Sequence, residues 1–161
     1  MFDQILGLPA HALIIHFAVV MTPLLAVVAV AYALLPSRRA LLGWALVLLS
    51  LAAPVAVFAA KESGERLREA RFAAAGGTLG AQIETHESFA GPLLLSVAGL
   101  AAASLVLVYA TTSTRGSTRD RFGRGATLGL SALSVVLAVT AAYFVFRAGD
   151  SGARAVWGGG S

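Results

Sequence analysis

Three histidines, His11, His16 and His86, are the side chains of this sequence best suited to chemistry near neutral pH. A neutral imidazole ligates iron, copper or zinc, and ionisable groups within a membrane span are costly enough to point to a function. His11 and His16 are five residues apart, which separates them by about 140° around a helix. Zinc chelation from one helix generally uses i, i+4 spacing, so a compact ion held by both needs a kinked or unwound turn. Haem b makes a different demand. Its two axial imidazoles approach from opposite faces, they come from different helices, and no cysteine is needed. His86 with either His11 or His16 meets that demand. Arg147 then supplies a counter-charge for a haem propionate or another anionic ligand. A copper or zinc site shared by His11, His16 and His86 is the alternative.

Two arguments bear on the partner of His86, and they disagree. His16 lies 22 positions before Arg38, His11 27 positions before it, and His86 29 positions before Arg115. Depth therefore matches His11 to His86, with His16 roughly 10 Å deeper at 1.5 Å per residue. An internal echo favours His16 instead: His16 precedes Pro23-Leu24-Leu25 much as His86 precedes Pro92-Leu93-Leu94. Each histidine also has a structural reading. His11 fits an interfacial position, His16 a bond to a neighbouring helix through Ser50 or Ser88, and His86 with Glu87 a loop-to-helix boundary. Arg147 equally fits a snorkelling anchor, and Trp157 an interfacial one.

The elements that position these residues follow from composition. The chain has 161 residues, 58% hydrophobic and 12% charged, with mean hydropathy +0.82. That is far from the quarter charged of a soluble domain. Cysteine is absent, which excludes disulfides, Cys-ligated zinc, iron–sulfur clusters and covalent c-type haem. The net charge of +4 sits in loops between apolar stretches, so membrane orientation explains it better than nucleic acid does. The first residues lack the basic start and cleavage site of a secretory signal, so the first helix is expected to direct insertion. No P-loop, GxSxG, HExxH or dinucleotide fingerprint is present, so no catalytic set is assigned.

A hydrocarbon core of about 30 Å needs roughly 20 residues of helix. Four stretches qualify, at about 10–35, 40–60, 89–111 and 126–146. The expected fold is an all-α, four-transmembrane-helix bundle in one domain, 1–161, with the echo read as a parallel repeat of two helical hairpins. Tyr32 and Tyr109, each six positions before an arginine, add to that echo. Gly43, Gly99 and Gly129 offer small surfaces for close packing, and Pro23 and Pro54 are candidate kinks. A polar connection, 61–88, begins as a helical turn over Lys61–Phe72 and joins helices two and three. A basic loop, 112–125, joins three and four. Basic density in short loops places both termini outside.

The run Leu8-Pro9-Ala10-His11-Ala12-Leu13-Ile14-Ile15-His16-Phe17-Ala18 resembles the HPxxVHFP opening of a bacterial family of four-helix membrane domains of unknown function. His86-Glu87 resembles that family's second polar motif, and the run from Arg147 through Asp150 to Gly158 its C-terminal signature. Ala12 and Ala18 stand where the family has prolines. Family members are sometimes fused to Rieske-type or cytochrome domains. The resemblance implies a multi-pass protein of the bacterial plasma membrane near respiratory electron transfer. A quinol or redox protein at the outer face, and a homo-oligomer or larger membrane complex, are the expected partners besides the bilayer. The competing expectation is a non-catalytic accessory or scaffold subunit.

Overall fold

In lipid no water is available to hydrogen-bond a bare amide, so a spanning segment must satisfy its backbone within itself, and long apolar stretches become helices. The computed structural model of the chain describes residues 4–5, 8–112 and 121–157. A two-residue antiparallel pairing of β1 (Gln4–Ile5) with β2 (Leu8–Pro9) leads into α1 (Ala10–Leu34). A 3₁₀ turn at Pro36–Arg38 joins α1 to α2 (Arg39–Leu67), which ends in a π-helical turn at Arg68–Phe72. The short α3 (Gly77–Ser88) runs almost directly into α4 (Ala90–Thr111), and α5 (Gly123–Trp157) follows. Gly77 and Gly123 open α3 and α5 with φ of 64° and 80°, a left-handed backbone that glycine adopts without steric cost.

Four of these helical segments are long and apolar enough to cross a membrane, and their surfaces show how they are solvated. Large apolar side chains point outward: Leu95 is 76% exposed, Val27, Leu41 and Trp44 65% each. The interior holds alanines, serines and a few large residues, with Leu25, Leu46, Leu100 and Leu107 fully buried. A soluble bundle would reverse that arrangement. Small interior residues let backbones approach closely where lipid supplies no hydrophobic drive between helices. The chain is a multi-pass membrane bundle.

Around the bundle, α1 packs against α2 and α5, and α4 against the same two, leaving α1 and α4 on a diagonal. Exchanging hairpin α1–α2 with hairpin α4–α5 leaves this set of neighbours unchanged, as a parallel repeat requires. The residues of the echo fit less well. Pro23 lies in the middle of α1, whereas Pro92 is the third residue of α4. The two prolines thus sit at different depths, and their alignment of His16 with His86 loses its footing. Tyr32 and Tyr109 do match in level, each two residues from its helix end, though Tyr32 is buried and Tyr109 exposed.

Several boundaries differ from those expected. α2 continues seven residues past position 60, and α5 begins three residues before 126 and ends eleven beyond 146. The connection 61–88, expected to hold one helical turn, includes the full helix α3. A hydropathy count stops at the first cluster of charges, but a helix in water does not have to. Lys61–Glu65 (2.5 Å) and Asp150–Arg154 (3.0 Å) are i, i+4 ion pairs that support helix beyond the bilayer. Of the three glycines expected at close packing, Gly43 and Gly99 face Tyr32 and Leu137, where an added Cβ would lie at 3.7 and 3.6 Å. Gly129 faces open space. Both internal prolines are carried inside uninterrupted helices. Within the basic loop, residues 113–120, with Arg115 and Arg119, lie outside the described residues, as do the side chain of Trp157 and residues 158–161.

Candidate functional site at the polar end of the bundle

Connectivity places the start of α1, the end of α2, α3 and the end of α5 at one end of the bundle. Helix α3 is half-exposed and docks on α5, with α4 as its direct continuation. His86 sits on the docked face. Its Nδ1 lies 2.9 Å from the carbonyl oxygen of Ala148 and 3.1 Å from Ser151 Oγ. Ser151 is itself buried and donates its hydroxyl to the same carbonyl at 3.1 Å. A carbonyl can only accept, so Nδ1 must carry the proton, and in the neutral ring Nε2 then holds the lone pair. Nε2 has no hydrogen-bond partner among the described residues.

The ring is held as closely from its side. A Cβ placed on Gly152 would lie 3.1 Å from His86 Cε1 and 3.2 Å from Nδ1, so glycine there makes room for the imidazole. Next along the chain, Glu87 pairs with Arg68 of the π-helical turn, tying the end of α2 to α3. Arg147 lies 4.9 Å from the ring centroid of Phe89 and 5.9 Å from that of Tyr143. A cation over two aromatic faces gains from their quadrupoles, and Arg147 remains exposed. It is thus held at the junction of α3, α4 and α5 with its charge accessible.

Of the three histidines, the side chains of His86 and His16 are described. His86 is brought to α5, whereas His16 is exposed on α1, and α1 lies across the bundle diagonal from α4. The side chain of His11 lies outside the described residues. Among the described residues, no three of His, Cys, Asp and Glu gather as a metal site would require. Among the described residues the expected bonds from His16 to Ser50 or Ser88 are not formed: the Ser50 hydroxyl has no partner there, and Ser88 donates to the carbonyl of Thr85 at 2.7 Å. Sequence reading singled out His86 but missed Ser151 and Gly152, its neighbours on α5. Both fall within the run that resembles a C-terminal signature, but nothing in the sequence paired them with His86.

Between α1 and α2 runs an open groove of about 710 Å³, lined by apolar residues such as Leu13, Phe17, Leu51 and Val55. Its walls suit an acyl chain and offer no ligating group. Fold and polar end together define a class, the multi-pass four-helix membrane bundle with an oriented histidine at one end. No protein-family model, curated protein or solved structure matches the chain.

Proposed function

We propose that the chain is an electron-transfer membrane protein whose polar end holds a b-type haem, for which His86 Nε2 would supply one of the iron ligands. The observation that carries this reading is the commitment of His86 Nδ1 to Ala148 and Ser151. Metal-ligating histidines characteristically donate their other ring nitrogen to a carbonyl or carboxylate, which fixes tautomer and ring direction. Gly152 makes room for the imidazole itself, and Arg147, exposed at the same junction, would be available to a propionate. The second ligand is assigned to helix α1, His11 or His16. Haem supplies one-electron transfer; the chain orients the imidazole and holds the counter-charge. The motif resemblance around His11 and His86 supports a place in the bacterial plasma membrane, with a quinol or redox protein as partner. The two ends carry equal numbers of Lys and Arg, and basic density in short loops near helix ends, with Arg38 and Arg39 in one turn and Arg121 and Arg124 beside α5, supports both termini outside.

An absorption spectrum of protein expressed with added haem and purified in detergent tests this. A Soret band that is lost or shifted in His86→Ala is expected, and its absence in the parent protein rejects the reading. Elemental analysis reporting copper or zinc in place of iron would move the assignment to that metal.

A second reading has its own observation. The bonds of His86 to α5 brace α3 against the bundle whether or not a metal is present, as suits an accessory or scaffold subunit of a membrane complex. If replacing all three histidines by alanine leaves assembly and partner copurification unchanged, the scaffold reading stands.

A further inference from the structure

Four hydroxyls lie buried in the bundle without a hydrogen-bond partner among the described residues: Thr22, Ser50, Ser104 and Ser134. None is more than 3% exposed. They come one from each of α1, α2, α4 and α5.

Their levels can be compared because the opposite, basic end fixes the register. Tyr32 is hydrogen-bonded to Thr111 at 2.8 Å, Arg39 donates to the Tyr32 carbonyl at 3.2 Å, and Arg121 to the Ala110 carbonyl at 2.9 Å. Thr22 is ten residues from Tyr32, Ser104 seven from Thr111, and Ser50 and Ser134 are each eleven from the first residue of their helix. At 1.5 Å per residue all four fall roughly 10 to 16 Å above that end, near the middle of a hydrocarbon core of about 30 Å.

Several hydroxyls elsewhere in these helices fold back on their own backbone. Ser96 donates to Leu93 at 2.9 Å, Thr127 to Gly123 at 3.2 Å and Thr140 to Val136 at 2.9 Å. The central four do not. A second feature of the backbone falls at the same place. Pro54 has no N–H, so the carbonyl of Ser50, four residues earlier, loses its regular helical donor. Neighbouring hydroxyls and ordered water are what satisfy such a carbonyl in a membrane helix.

We propose that this layer binds ordered water at mid-membrane, with the four hydroxyls and the Ser50 carbonyl as its ligands. The site carries no formal charge, so it takes a small neutral hydrogen-bonding molecule in preference to an ion. A buried water makes about three hydrogen bonds, so the layer has the capacity for one or two.

Water-edited solid-state NMR of the labelled protein in lipid bilayers tests this without any substitution. Polarisation should pass from water to Thr22, Ser50, Ser104 and Ser134 as fast as to exposed Thr112. Transfer as slow as to the apolar, fully buried Val97 overturns the proposal. A second readout uses Ser104→Ala and Ser134→Ala, which remove only a hydroxyl. If the hydroxyls bind water, each variant lowers the thermal midpoint by a few degrees. A raised midpoint shows that the hydroxyls were buried dry, and rejects the layer.

Discussion

At the scale of single residues, the contact between His86 and Gly152 is the one most open to a simple test. An alanine at 152 puts a methyl 3.1 Å from the imidazole Cε1, so the ring must give by a few tenths of an ångström, which strains its bond to the Ala148 carbonyl. Weakening that bond costs up to about 1 kcal/mol. Gly152→Ala should therefore lower the thermal midpoint and move the His86 ring resonances in NMR spectra. An unchanged His86 spectrum would show that the ring is not seated against α5. Ser151→Ala should be milder, because the Ala148 carbonyl keeps its bond from Nδ1. The value of His86 was legible in the sequence, since histidine is rare here and lies near a span. Its partners were not, because their contact joins positions 65 residues apart. Nothing local to Ser151 or Gly152 announces it.

Among the elements, the four apolar stretches were legible because lipid allows a long apolar segment few choices. Their ends were not. Hydropathy reports where lipid stops, whereas α2 and α5 run on past it for seven and eleven residues, supported by i, i+4 ion pairs. The diagonal between α1 and α4 was equally hidden, and one hydrogen bond from Tyr32 to Thr111 crosses it. Thr111 also donates to the Leu107 carbonyl at 2.8 Å, so its hydroxyl stays satisfied without the tyrosine. Tyr32→Phe is therefore expected to cost only the cross-bundle bond, about 1 kcal/mol, measured as a lower midpoint of unfolding in detergent. Stability equal to the parent would mean that the bond does not fix α1 against α4.

For the whole molecule, the cysteine-free sequence makes orientation directly measurable. A single cysteine at Gly76, in the turn before α3, should react with an impermeant maleimide applied to intact cells. One at Ser37, in the turn between α1 and α2, should react only after permeabilisation. The opposite pattern would place the histidine-bearing end in the cytoplasm.

The neighbour relations around the bundle also set the order in which it can be built. Of these helices α1 is made before the others, yet one of its two flanking helices is α5, made after the rest of them. The α1–α2 hairpin must therefore wait in the membrane with one flank uncovered while α3 and α4 are synthesised, and the ring closes only on arrival of the final helix. A chain interrupted before Gly123 leaves both α1 and α4 without that neighbour. Such a fragment offers the quality-control machinery of a cell two bare flanks at once.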